Sequence, residues 1–141
     1  MASAIRISDA AAISIHAAMC MASDPARYWS VRAVGARFRV SPAHLAKVLR
    51  ALGRAGIVTA VRGPHGGAKL ARPPGQVSLL QVYEAIDGPM VMHACLLAPE
   101  GCGSACCQLA PRLAAVNDDL RALFARTTLA DLARQVPEVA A

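Results

Sequence analysis

Aromatic residues are scarce in this 141-residue chain: Tyr28, Trp29, Phe38, Tyr83 and Phe124 are the full set, although 55% of positions are hydrophobic, many of them Ala. A core so poor in large rings disfavours a β-sandwich and suits closely packed helices. Long apolar runs are missing as well, and none approaches the roughly 18 residues that span a bilayer. The N-terminus has no basic region followed by an apolar stretch and a cleavage site, so no secretion signal is read. The expectation is a cytoplasmic protein with no membrane partner. In that compartment thiols stay reduced, and five cysteines then suggest metal or redox chemistry before disulfides. Also absent are a glycine-rich phosphate loop, a nucleophile elbow and an acid pair beside a histidine, which leaves an enzyme little to work with.

Acidic residues are nearly missing from one half. Residues 1–75 hold eleven Lys/Arg against Asp9 and Asp24, a net +9; residues 76–141 hold four Arg against seven acids, a net −3. Such segregation suits a first half built to approach a polyanion, nucleic acid above all.

The chain contains no internal repeat, and its elements read in order. Residues 8–22 form a helix capped by Ser8, with Ala12, His16 and Cys20 along one stripe. "DPARYW" breaks it, and 30–38 is a second helix capped by Ser30. The clearest helix lies within 40–56: Ser41 caps it, Pro42 sits in its first turn, and Gly53 or Gly56 ends it. Its buried stripe is Leu45, Val48, Leu49 and Leu52, with Ala43, His44, Lys47, Arg50 and Arg54 outward. "IVTAV" (57–61) and "AKLA" (68–71) around "RGPHGG" read as a hairpin, "RPPGQV" as a turn, and 78–88 as a capped helix. Leu109, Leu113, Val116, Leu120 and Leu123/Phe124 trace an apolar face on a long helix near 108–126, and Thr128 with Asp131 marks a short final helix.

Two helices across a tight turn, then a basic hairpin, define the expected fold: mainly α with a small β-hairpin wing, a winged helix-turn-helix followed by a long C-terminal dimerisation helix. The expected division is a DNA-binding domain over 1–88, a cysteine-rich sensor loop over 89–107, and the dimerisation helix with a terminal helix over 108–141. The helix after the turn offers its first residues to base edges, and the wing lays Arg62 against backbone or minor groove. The apolar face of the long helix exceeds what so small a domain covers, so a homodimer on double-stranded operator DNA is expected.

"IRIS", "AGIVTAVRGPHGGAKLAR" (55–72), "SLLQVYEAIDG" and "TLADL" together resemble the IscR/NsrR family of Rrf-two-type winged-helix transcriptional regulators, over about Ile5 to Leu132. The resemblance implies a repressor whose helix at 42–54 reads the major groove while Arg62 enters the minor groove. The expected DNA-contacting set is Ser30 and Arg32; Ser41, Pro42, Ala43, His44, Lys47 and Arg50; and Arg62, His65 and Gly66. Ala46 stands where some relatives carry a base-contacting polar residue, which points to a different recognised sequence.

Four of the five cysteines fall within "CLLAPEGCGSACC", residues 95–107. The resemblance implies an iron–sulfur cluster, 2Fe–2S or 4Fe–4S, held by Cys95, Cys102 and Cys107, with Cys106 the alternative to Cys107. A histidine that follows the third cysteine in some relatives is replaced by Leu109 and Ala110, which brings the loop nearer to the nitric-oxide-sensing members. A carboxylate ligand of other relatives would fall at Ala12, leaving His16, from the partner subunit, as the candidate fourth ligand and His93 as a further one. Cys20 reads as a small buried hydrophobe. Three alternatives stand beside the cluster: zinc on Cys102 and Cys106 with His93 and Cys95, a metal-free thiol switch, and an oxidoreductase using Cys106–Cys107 as a dithiol.

Overall fold

The computed structural model describes residues 7–90 and 108–133. Helix α1 spans Asp9–Ser23, α2 Val31–Phe38, and α3 Pro42–Arg54; β1 (Val58–Val61) and β2 (Gly67–Leu70) follow, then α4 (Leu79–Asp87), α5 (Ala110–Arg126) and α6 (Leu129–Ala133). Four of the helices start at a serine whose hydroxyl accepts the amide of the third residue on: Ser8 from Ala11, Ser30 from Ala33, Ser41 from His44, Ser78 from Gln81. Each satisfies one of the amides a helix start leaves unpaired. At α4 the Gln81 side chain returns a bond to the Ser78 amide, and Thr128 with Asp131 does the equivalent at α6.

Helix ends are just as specified. After α3 the amides of Gly56 and Ile57 bond the carbonyls of Gly53 and Leu52, with Gly56 at φ 70°. The same double closure ends α2, where Arg39 and Val40 bond Ala36 and Gly35, yet the left-handed position there is Arg39, at φ 55°. An L side chain in that region costs about 1–2 kcal/mol. Arg39→Gly therefore raises stability by about 0.5–1 kcal/mol after its larger unfolded-state entropy is counted. The check is a thermal melt, with an upward shift of about 2–5 °C.

The core sits where α1 crosses α3 and α4. Ala17 and Ala18 are fully buried and let the helices approach, while Met21, Val34, Leu45, Leu52, Ile57, Val77 and Val82 fill the space. All four residues of the expected α3 stripe are buried. Leu129 of α6 enters the same core, and the main chain beside it is bridged to the start of α4 through Leu79–Thr127 and Leu129–Val77 bonds. "RPPGQV" is more ordered than a simple turn, since Pro74–Gln76 forms one 3₁₀ turn, for which the fixed φ of proline is suited.

The hairpin pairs Val58 with Leu70 through Val61 with Gly67, antiparallel. Trp29, just ahead of α2, adds a bridge to Ala68 on the outer side of β2, with both N–H···O bonds formed. The wing is thus tied to the entrance of the helix-turn-helix. This is the expected winged helix-turn-helix, mainly α with one small hairpin.

Candidate nucleic-acid interface and sensor segment

Helix α3 turns one side into the core and leaves Ser41, Pro42, Ala43, His44, Lys47, Arg50 and Arg54 exposed. Ser30 and Arg32 are exposed at the start of α2, and Arg62 and His65 in the wing, where Gly66 is half-buried. The Ser30 and Ser41 hydroxyls are engaged as helix caps. Between α3, the entrance of α2 and the hairpin lies a groove of about 570 Å³. Leu49, Val58 and Ala68 form its apolar wall, and Arg50 and Arg62 both line it. Ala46 lines it as well and contributes no polar group. Among the described residues Lys47, Arg50 and Arg62 have no ion pair, so their charge is available to a polyanion.

Close approach fixes the wing's composition. A Cβ on Gly67 would stand 2.5 Å from the Trp29 carbonyl oxygen, so the bridge to Trp29 needs glycine there. Cation–ring contacts that no sequence motif above predicted surround this join. Arg27 stacks over Trp29 at 4.4 Å, and Lys69 lies 4.6 Å from the centre of the Tyr28 ring. The alternation of Arg27 with Tyr28 and Trp29 in "ARYW" carried the signal for the first contact, and Lys69 comes from β2 across the chain.

His93, Cys95, Cys102, Cys106 and Cys107 lie outside the described residues. Among the described residues no three His, Cys, Asp or Glu gather where they could hold a metal. His16 is exposed on α1; its Nδ1 donates to the Ala12 carbonyl at 2.7 Å, and its ring meets Phe38 edge-on at 5.4 Å. With Nδ1 donating, the lone pair of the neutral ring is on Nε2, the arrangement metal-binding histidines commonly have. Cys20 is buried, and burial pushes its thiol up against the smaller opposing effect of Arg37, so it fits the small-hydrophobe reading.

Two carboxylates mark the end of α4, just before the cysteine segment. Asp87 accepts the Ser8 amide and hydroxyl at the start of α1. Glu84 Oε1 accepts the Met90 amide at 3.1 Å and Arg121 Nη1 at 2.8 Å. The Met90 bond, and after it the Arg121 guanidinium, hold the Glu84 carboxyl below the usual range despite a partial burial that acts the other way.

Helix α5 is the outlier in burial. Of its residues Phe124 alone is buried, while Val116 and Leu123 are 54% and 43% exposed and Leu109, at its N-cap, 43%. Among the described residues no helix is long and apolar enough to cross a membrane.

A serine-capped helix-turn-helix with a tethered basic wing is the apparatus of a winged-helix transcriptional regulator. Residues 7–135 match the family model Rrf2, described as an iron-dependent transcriptional regulator. The chain belongs to the Rrf2 family, whose members regulate transcription and are not enzymes. YwgB of Bacillus subtilis, assigned by name as an HTH-type transcriptional regulator, is 31% identical over 109 residues, 76% of this chain and 70% of its own. BadM of Rhodopseudomonas palustris, similarly assigned, is 37% identical over 83 residues; the match spans 59% of this chain and about half of BadM, 53%. Among solved structures, the global cysteine regulator CymR of B. subtilis superimposes with a TM-score of 0.79 at 22% identity, covering 94% of this chain and 99% of that one. T. potens IscR does so at 0.74 and 19% identity, covering 96% and 94%. At such identities the structures speak to the fold.

Proposed function

We propose that the protein is a homodimeric, sequence-specific repressor of transcription that reads operator DNA with α3 and the wing, and whose binding answers to the state of its cysteine segment. The observation that carries the DNA-binding reading is a cationic face without ion pairs among the described residues: Arg50 on α3 and Arg62 on the wing line one groove, and Lys47 stands exposed on the same helix. Ser41, Pro42, Ala43 and His44 meet base edges and phosphates at the N-terminal end of α3, and Ser30 and Arg32 meet the backbone at α2. His65 and Gly66 place the wing tip, with Arg62 directed to the minor groove. The exposed apolar face of α5 supports the dimer, because a second copy in two-fold symmetry covers it with the same face.

For the sensor, the donor set fits an iron–sulfur cluster: Cys95, Cys102 and one of Cys106 or Cys107 supply thiolates, and Nε2 of the partner's His16 is the candidate fourth ligand. When bound, such a cluster supplies a group that nitric oxide, oxidants or iron shortage remove or convert. The chain's part is to join the segment's ends to α4 and α5, so that the thiols' engagement sets the orientation of the paired helices and with it the spacing of the two reading heads. The nearer likeness is to a nitric-oxide sensor, since Leu109 and Ala110 offer no histidine.

Cys95→Ala removes the visible absorbance and the iron and sulfide of protein isolated without oxygen, while circular dichroism is unchanged. A colourless wild type with stoichiometric zinc would replace the cluster by a tetrahedral zinc site. A colourless, metal-free one whose DNA affinity follows thiol oxidation would make the segment a thiol switch.

A further inference from the structure

We infer that Glu84 is the joint through which the cysteine segment acts on the dimer helix, making it a positioning residue for regulation; this rests on the sensing reading above. One oxygen of this carboxylate receives two donors from different parts of the chain. The Met90 amide, at 3.1 Å, belongs to the residue that enters segment 91–107; the Arg121 guanidinium, at 2.8 Å, belongs to α5, which follows that segment. The residue that enters the segment and the helix that follows it are therefore referred to a single side chain of the reading domain.

The neighbouring contacts show why this position has leverage. Helices α4 and α5 run antiparallel: the Leu79 amide bonds the Thr127 carbonyl at 2.8 Å, the Tyr83 and Phe124 rings meet edge-on at 6.1 Å, and Glu84 meets Arg121. The first two hold the C-terminal end of α5 against the core, where Phe124 is buried. Glu84 acts further along, toward the stretch that carries exposed Val116. A small displacement at Arg121 becomes a larger one along the dimer face, as with a lever held at its far end. Displacement of Met90 weakens its bond to Glu84 and frees the carboxylate to follow Arg121, whereas a fixed Met90 holds both. The same turn of α4 carries Asp87, whose bonds to Ser8 keep the α4 end of the joint stationary against α1.

A staple that merely stabilises the fold predicts something different. With the side chains of Arg121 and Glu84 49% and 30% exposed, the pair contributes little to global stability. The test uses Glu84→Ala, which removes both bonds, and Glu84→Gln, which keeps an acceptor oxygen for the Met90 amide. The probe is the duplex enriched from a random-sequence pool by the wild-type protein. Affinity is measured for full-length protein reconstituted anaerobically with ferrous iron and sulfide, and again after chelation. The wild-type ratio between the two forms is expected within about 5- to 150-fold, the usual range of allosteric coupling. In Glu84→Ala the ratio falls to within about twofold of one, both forms binding as the chelated wild type does, with a melting temperature within about 2 °C of wild type. Glu84→Gln lies between. A Glu84→Ala ratio equal to the wild type's overturns the inference, as does a loss of affinity in both forms together with a fall in melting temperature. A wild-type ratio of one overturns the sensing reading itself, and the inference with it.

Discussion

Val116→Asp yields a monomer that binds a two-fold symmetric operator at least a hundredfold more weakly than wild type. Val116 is the most exposed of the large hydrophobic residues on α5, at 54%, and lies mid-helix between Leu109 and Leu123 on the same face. In a symmetric dimer two copies of this face meet, so each protomer would bring a carboxylate into an apolar contact. Burying such a charge without a partner costs roughly 3–5 kcal/mol, about two to three and a half decades in the dimer constant. Each reading head then binds its half-site alone and loses the advantage of the linked second head. Sedimentation velocity reports the mass, and titration of a fluorescent duplex reports the affinity. Val116→Leu, which keeps the apolar contact, remains dimeric. A Val116→Asp protein that stayed dimeric would remove α5 from the interface.

Arg62→Ala has the second largest effect. If the guanidinium reads base edges in the minor groove, its loss costs about 1–3 kcal/mol, roughly 5- to 150-fold, at one operator position. If it neutralises a phosphate, the loss is spread over all sequences and the salt slope of binding falls by about one unit. A titration in a salt series separates the two outcomes. Stability stays within about 0.5 kcal/mol of wild type, because Arg62 is exposed and has no ion pair among the described residues. Affinity equal to the wild type's at every salt concentration would take the wing off the DNA.

Much of the fold was legible because its signals are local. Ser8, Ser30, Ser41 and Ser78 mark helix starts within one turn of the amides they cap, and the α3 stripe repeats at helical spacing. The expected exposed residues of α3 are exposed for the same reason: once one face is buried, the 3.6-residue period decides the rest. Pairings across the chain were not legible. The Trp29–Ala68 bridge joins single residues 39 positions apart, and nothing periodic announces it. Nothing local marks Glu84 either, since its partner Arg121 lies 37 residues on. Arg39 hid a left-handed turn that glycine would have advertised. On α3 the candidate DNA-contacting residues are exposed, as the helical period requires; in the wing Arg62 and His65 are exposed and Gly66 is half-buried. For the cysteines the sequence supplied spacing and resemblance, and they lie outside the described residues.

If a cationic winged helix and a thiol-rich segment act as one device, DNA and cluster are lost together. An enriched duplex is titrated with protein isolated without oxygen, while visible absorbance is followed through stepwise addition of nitric oxide. The expected result is tight, salt-dependent binding of one dimer per two-fold site, lost in step with the absorbance. Binding that is indifferent to sequence, or that persists unchanged after the absorbance has gone, would contradict it.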